Sequence, residues 1–233
     1  VSHLSFAIRN FLKLYPWKNC SPKNSTILKK KLSKCNVAIV SSAGLINKLN
    51  HLPFDHSIKF GDTSFRVINS NVEKNDLKEY HRSDTFDHSN IKSDPFSVLP
   101  IPHLFDLVKE GFIKSVNDRH ISLMGSIISP SKLINESIPK IIEIFNEDKV
   151  DIAIFIPVWP MCPQAVGLIQ KSCEENNIIC STISIIDEIT KKLKVKRYLS
   201  VPYKLGYPLG QTKNFIEQKN NVKKLLNLVD NFD

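Results

Sequence analysis

The chain has 233 residues, 42% of them hydrophobic and 24% charged, an ordinary composition for a globular domain with a sizeable core. Its net charge of +9 is concentrated in lysine clusters with few aromatic residues between them, at residues 27–34, 191–197 and 218–224. Such clusters are typical of solvated surfaces, so the charge argues against a nucleic-acid partner. The apolar runs are far shorter than the roughly 20 residues of a membrane span, and the N-terminus lacks the pattern of a secretory signal.

The five cysteines form an odd, scattered set, which does not suggest the disulfide framework of a secreted protein. We therefore expect reduced thiols and a cytoplasmic protein that binds neither a membrane nor nucleic acid. Cys35, Cys173 and Cys180 fall on predicted buried elements and are interpreted as core residues.

The first part of the chain predicts less regular structure than the rest. Residues 1–31 are interpreted as an N-terminal extension, and residues 35–44 predict a buried strand that ends in a small-residue turn. Residues 49–100 predict a loop-rich insertion after this first strand, with one strand at residues 60–68. We predict that residues 1–233 form a single domain.

From Pro102 onward, predicted helices and strands alternate. One helix covers residues 102–113, and the next has Ser129 as its N-cap, with Pro139 expected to kink or divide it. Later strands are predicted at residues 120–127, 150–156, 178–185 and 197–201, and a helix ends the chain. This alternation predicts an α/β fold with a mainly parallel, doubly wound sheet and Rossmann-like or flavodoxin-like layering.

Ligands of such sheets bind outside the carboxyl ends of the strands. Four predicted loops lie at such ends: residues 41–44, residues 157–162, the turn after Ile185, and residues 201–211. We expect them to converge on one cleft, with Ser41 and Ser42 as candidate substrate-binding residues. The sequence contains no glycine-rich nucleotide-binding motif, so a nucleotide ligand is not expected.

Cys162 is the strongest candidate for chemistry. In DIAIFIPVWPMCPQAVGLIQ, residues 151–170, an apolar strand gives way to helical spacing after two prolines, so Cys162 falls at a helix N-terminus. The unpaired N–H groups there lower the pKa of a thiol and favour the reactive thiolate. The alternative is a small buried residue that caps the helix. Trp159 lies three residues earlier, and we expect it to be exposed, without a packing role.

Five segments form an ordered set that carries a family resemblance: FGDTSFRVI (residues 60–68), DHS (87–89), RHISLMGSI (119–127), VDIAIFIPVWPMCPQAVGLIQKSCEENNIICSTISI (150–185) and YPLGQ (207–211). Together they resemble the glycine/sarcosine/betaine reductase selenoprotein B family, which also includes a D-proline reductase subunit. The resemblance covers residues 32–211.

The resemblance implies a selenocysteine or cysteine nucleophile at the position of Trp159, with Cys162 as the resolving thiol. A UGA codon translated as tryptophan would place a Trp there, and no other cofactor is expected. The implied partners are a small amino-acid-like or N-methylated amine substrate and further reductase subunits. Two alternatives remain open. One is a redox-inactive paralogue with a true Trp159 that binds a ligand or partner, and the other is a general thiol-redox enzyme unrelated to amines.

A second set of candidates lies in and beyond the predicted insertion. These residues could supply metal ligands or transfer a proton to a leaving amine: His81, Asp87, His88 and His120. Their spacing matches no standard zinc pattern, so no metal is expected. Arg66 or Arg119 is a candidate for holding a substrate carboxylate through a bidentate contact. The alternative is a surface loop whose Asp and Ser side chains cap local turns.

Overall fold

The central sheet has seven strands in this computed structural model, which describes residues 6–24 and 26–230. The strands are β1 (Asn36–Ser41), β2 (Leu45–Asn47), β3 (Phe65–Asn69), β4 (Leu77–Glu79), β5 (Ser115–Val116), β6 (Arg119–Leu123), β7 (Ile152–Ile156), β8 (Ile179–Ser184) and β9 (Tyr198–Ser200). The order across the sheet is β3-β6-β1-β7-β8-β9, and the short β5 pairs with β1. Strands β2 and β4 form a separate antiparallel pair.

All pairs in the central sheet are parallel except the one between the edge strand β3 and β6. The helices are α1 (Phe6–Leu14), α2 (Ser89–Ser93), α3 (Ile101–Lys109), α4 (Ile138–Glu147), α5 (Cys162–Glu175), α6 (Asp187–Lys192) and α7 (Phe215–Asp230). This confirms a mixed α/β fold with a mainly parallel sheet. Helix α3 packs against α7, and α4 packs against α5. The Rossmann-like or flavodoxin-like layering and the single domain stay predictions.

Strands β1 and β7 form the centre of the sheet. Ile39 lies opposite Ile154, and every residue of β7 is buried. A parallel strand that is covered on both faces needs an unbroken apolar run of this kind instead of an alternating pattern.

The helix that was expected to begin after Ser129 is not divided at Pro139, but the turn before this proline is widened. A wide π-helical turn at Leu133–Ser137 leads directly into α4, where Pro139 occupies the second position. Proline lacks the N–H that would continue the hydrogen-bond ladder of the preceding turn, and a widened turn accommodates that loss.

The predicted insertion contains more regular structure than expected. β3 joins the central sheet, and β4 pairs with β2 beside it. The short helix α2 follows in the same region. No helix in the described parts of the chain is both long and apolar enough to cross a bilayer.

Residues 15–24 and 26–28, here called the N-terminal strap, run from α1 across α5 and the end of α6. The backbone N–H of Cys20 donates to the carbonyl of Leu193 at 2.8 Å. The predicted N-terminal extension is therefore part of the packed structure over the residues that are described.

A buried ion pair ties the strap to the second half of the chain. Glu174 Oε1 lies 2.6 Å from Arg197 Nη1, and both side chains are only 2% exposed. Thr26 donates its backbone N–H to the Glu174 carboxylate, and Arg197 donates to the Thr26 carbonyl. Each charge thus has its opposite charge and further hydrogen bonds nearby, which a buried ion pair requires.

Candidate active site

The candidate site lies where β1, β6 and β7 end at the same edge of the sheet. β1 lies between the other two strands, and the chain order places later strands on both sides of it. Ligands of open α/β sheets bind at such switch points. Ser41 and Ser42, at the end of β1, are both fully buried there.

Cys162 is the first residue of α5, as predicted, and its side chain is fully buried. Its thiol donates to the carbonyl of Ser42 at 3.8 Å, and its sulfur lies 3.7 Å from Nε2 of His81. His81 follows β4, so the insertion supplies the imidazole and the sheet supplies the thiol. The structure thus brings together two residues that are far apart in sequence.

Two glycines frame His81. Gly44 has a φ of +68°, and a Cβ there would lie 2.5 Å from the backbone nitrogen of His81. Gly125 has a φ of +74°, and a Cβ there would lie 2.4 Å from Nε2 of His81 and from the carbonyl oxygen of Ser42. Only glycine combines this backbone conformation with such close approach. The two turns therefore fix where the imidazole lies.

Burial keeps both partners neutral. It lowers the pKa of His81 to about 3 and raises the pKa of the Cys162 thiol above its usual value. The prediction of a lowered thiol pKa was wrong because the fully buried site disfavours the thiolate more than the helix N-terminus favours it. The resting pair is a thiol beside an uncharged imidazole.

An aromatic stack covers the turn before α5. The ring of Trp159 stacks on Phe86 with centroids 5.4 Å apart, and Phe86 stacks on His88 at 4.0 Å. Trp159 is 6% exposed, so the expectation of an exposed Trp without a packing role was wrong. The insertion supplies Phe86 as the surface that buries the indole.

His88 ends the stack in a partly buried hydrogen-bonded pair. Its Nδ1 lies 2.6 Å from Oε1 of Glu79, and its Nε2 lies 2.8 Å from the carbonyl of Ser83. Because the carbonyl only accepts, Nε2 carries a hydrogen, and one further proton lies between Nδ1 and the carboxylate. Burial raises the pKa of Glu79, while the hydrogen bond from His88 opposes that shift.

Asp87 lies at a polar rim beside the stack. Lys204 Nζ and the hydroxyl of Tyr207 donate to its Oδ2 at 2.8 and 2.7 Å. The hydrogen bond from Lys204 is the main reason that the pKa of Asp87 lies below its usual range. The N–H of Gly206 donates to the carbonyl of Val158 at 3.1 Å, which joins the loop at residues 201–211 to the turn before α5.

The fourth predicted loop makes a polar cluster of its own. After β8, the hydroxyl of Ser184 donates to Asp187 at 2.6 Å, and Ser200 donates to the same carboxylate at 2.7 Å. Of the four loops expected to converge, those at residues 41–44, 157–162 and 201–211 are linked by the contacts described above.

Three of the predicted site residues form hydrogen bonds or ion pairs away from Cys162 and His81: Arg66, Arg119 and His120. Arg66 lies on the edge strand β3 and donates to the carbonyls of Leu52 and Pro53. Arg119 is the first residue of β6, so it lies where the parallel strands begin, whereas Cys162 lies where they end. Its guanidinium pairs with Asp148.

His120 is fully buried within the same strand. Its Nδ1 accepts the backbone N–H of Ile39 at 3.1 Å. It therefore fills a gap in the hydrogen bonding between β1 and its neighbours, and it does not face the site.

Four residues near the site were not singled out from the sequence: Glu79, Phe86, Lys204 and Tyr207. Lys204 and Tyr207 belong to a loop that was predicted to reach the cleft, so its position was the available signal. No sequence pattern marks Glu79 or Phe86. Within the described residues, no three or more His, Cys, Asp or Glu side chains are grouped so as to hold a metal ion.

A sequence profile of the family described as glycine/sarcosine/betaine reductase selenoprotein B matches residues 12–157, more than half of the chain. The chain belongs to this selenoprotein B family. The match to the selenoprotein B profile ends before Trp159 and therefore does not cover the turn that leads into α5.

One curated relative supports the same assignment. The chain is 27% identical over 195 residues to D-proline reductase subunit gamma of Acetoanaerobium sticklandii, an alignment that spans 83% of the chain and 78% of the relative. No solved structure matches the chain. The protein is thus a reductase-related member of the selenoprotein B family.

Proposed function

We propose that the chain is a reductase subunit that acts on a small amino-acid-like or N-methylated amine substrate, through residue 159 and Cys162. The observation that supports this best is the position of Cys162, at the start of α5 and 3.7 Å from His81, where three strands of the sheet end. A thiol at a switch point, on the same tight turn as residue 159, suits an exchange reaction between two chalcogen atoms. A cytoplasmic location is part of the proposal, and all five cysteines are free thiols, which fits it.

The proposed reaction uses both residues of the turn. A selenolate or thiolate at residue 159 attacks a substrate carbon that a partner subunit activates, and the amine leaves with the electrons of the broken C–N bond. The Cys162 sulfur then attacks the chalcogen at residue 159, and the reduced carbon leaves with the electron pair and takes up the proton that the Cys162 thiol loses. A dithiol reductant restores the oxidised pair. The relative's name, subunit gamma, supports the need for partner subunits.

The identity of residue 159 tests this function first. We expect the gene to carry UGA at this position, and the natively produced protein to give a selenium-containing peptide for residues 150–171. A UGG codon together with an ordinary Trp mass contradicts the selenocysteine centre. Assays of candidate amines with partner subunits and a dithiol reductant then test the reaction itself.

The second candidate is a redox-inactive paralogue that binds a ligand or a partner subunit. The buried stack of Trp159 on Phe86 favours it, because a true Trp at this position has a packing role. In that case the turn keeps the family backbone but lacks a nucleophile at residue 159.

A Trp159→Cys variant tests whether the turn itself can support redox chemistry. The carbonyl of Trp159 accepts the N–H of Cys162 at 2.9 Å, so the two residues lie on one tight turn. We expect mild oxidation to form a disulfide that removes two of the variant's six thiols, the five native ones plus one. Thiol titration and peptide mass measure this.

The double variant Trp159→Cys with Cys162→Ser is the matched control, and it should keep all its thiols under the same oxidation. If the single variant also keeps all six thiols, the turn cannot bring the two sulfur atoms together, and the first proposal fails.

A further inference from the structure

Some neighbours of the Cys162 sulfur favour its thiolate, although burial outweighs them and keeps the resting group a thiol. Backbone hydrogen bonds from three residues favour the thiolate and oppose the effect of burial on the Cys162 pKa: Ser126, Val158 and Trp159. The Ser42 hydroxyl acts in the same direction. Its Oγ is buried and makes no hydrogen bond within the described residues. A neutral thiol needs only one acceptor, which the Ser42 carbonyl supplies.

The backbone beside His81 and Ser42 has an uncommon conformation. Gly125 and Ser126 are consecutive residues with positive φ, +74° and +53°. For Ser126 this conformation is uncommon, and uncommon backbone conformations concentrate at functional sites.

The ring of His81 is fixed in one tautomer. The backbone N–H of Ser83 donates to Nδ1 of His81 at 3.0 Å, so Nδ1 must act as the acceptor. In the neutral ring the hydrogen then lies on Nε2, which is the nitrogen that faces the sulfur at 3.7 Å. His81 therefore offers a hydrogen bond to Cys162 and has no free lone pair with which to take the thiol proton.

We propose that His81 is a positioning residue that stabilises Cys162 as a leaving thiolate through the hydrogen on Nε2, and that it does not act as a general base. This inference rests on the proposed function, in which Cys162 is bonded to residue 159 in the oxidised state. It assigns different roles to the two members of the turn, because residue 159 receives the attack and Cys162 departs.

Reduction of the bond between residue 159 and Cys162 takes two displacement steps. A thiolate of a dithiol reductant attacks the chalcogen of residue 159 and forms a bond to it, while the bond from that atom to Cys162 breaks. Cys162 leaves with both electrons of that bond as a thiolate, which accepts the hydrogen bond from Nε2 of His81 without proton transfer. The second thiolate of the reductant then displaces residue 159, and the reductant ends as a disulfide.

The tautomer can be measured on the unmodified protein. Nitrogen NMR of the histidine side chains should show His81 with its hydrogen on Nε2 at neutral pH. The ring should stay uncharged down to about pH 5, since burial lowers its pKa to about 3. The titratable groups that face it are His88, His56 and the Cys162 thiol. A hydrogen on Nδ1, or a charged ring at pH 7, overturns the proposal.

Two variants of His81 test whether its hydrogen bond stabilises the Cys162 thiolate. His81→Gln keeps an N–H donor near the position of Nε2, whereas His81→Phe keeps a ring without a donor. The rate of alkylation of Cys162 by iodoacetamide can be followed as a function of pH through the peptide of residues 150–171, which contains no other cysteine.

We expect the alkylation rate of Cys162 to reach half its maximum at the same pH in the parent and in His81→Gln. In His81→Phe this midpoint should lie at a higher pH, and Cys162 should react about tenfold more slowly near pH 8. A purely structural role would change the rate equally at every pH. An unchanged midpoint in His81→Phe overturns the proposal, and so does an equal shift in His81→Gln, which would indicate a base. Neither measurement needs a substrate, so its outcome is separate from that of the reductase assay.

Discussion

Replacing Gly125 by Ala is expected to lower the free energy of unfolding by about 2 to 4 kcal/mol. The left-handed backbone conformation costs a residue with a Cβ about 1 kcal/mol or more, and forcing a methyl group into a filled site costs about 1 to 3 kcal/mol. Here the methyl would lie 2.4 Å from both the Ser42 carbonyl oxygen and Nε2 of His81. Denaturant unfolding measures the change, and the alkylation profile of Cys162 should shift in the same variant.

Gly111 provides a matched control. Its φ is +70°, close to the +74° of Gly125, but a Cβ there would meet no atom within 4 Å. Gly111→Ala should therefore cost only the conformational part, about 1 kcal/mol, and leave the Cys162 profile unchanged. Equal losses for the two variants would show that the close approach at Gly125 has no energetic importance.

Acid is expected to destabilise the protein well above the pH at which carboxylates titrate. Burial lowers the pKa of both His81 and His120 to about 3, whereas an unfolded histidine titrates near 6.5. Between these values the unfolded chain binds more protons than the native one. The contribution of the two histidines to the free energy of unfolding is therefore fully present above about pH 7 and is lost as the pH decreases. Each histidine contributes close to 1.4 kcal/mol per pH unit, which gives about 2 to 3 kcal/mol between pH 6 and pH 5.

His51 and His103, whose pKa values burial also lowers, add to the loss in the same direction. Urea unfolding at several pH values measures the slope. In a His120→Asn variant the amide oxygen can still accept the N–H of Ile39, and the slope should decrease by about 1.4 kcal/mol per pH unit because one titrating group is gone. A stability that stays constant between pH 6 and pH 5 would contradict the neutral burial of these rings.

The sequence predicts the central strands and the start of α5 well because local patterns determine them. The apolar run of β7 and the prolines around Cys162 are signals within a few residues of the elements that they define. Pro139 likewise marks the widened turn that leads into α4. Elements of this kind depend little on distant partners.

The pairing of Cys162 with His81 could not be read from the sequence, since 81 residues separate the two side chains. It depends on the N–H of Tyr80, which donates to the Gly44 carbonyl at 2.8 Å, and on the close approach at Gly125. By contrast, the location of Arg119 follows from strand direction alone. A residue at the start of a parallel strand lies at the edge opposite the carboxyl ends, so this candidate could have been excluded.

The buried pair of Glu174 and Arg197 also has a consequence for how the chain is synthesised. Thr26 lies 171 residues before Arg197, and its carbonyl accepts a hydrogen bond from the Arg197 guanidinium. At a translation rate of about 5 to 20 residues per second, the strap leaves the ribosome roughly 10 to 30 seconds before its partner has been made. The strap therefore reaches its native contacts only after the second half of the chain has been made, and a nascent chain that stops short of Arg197 exposes the strap to chaperones and proteases.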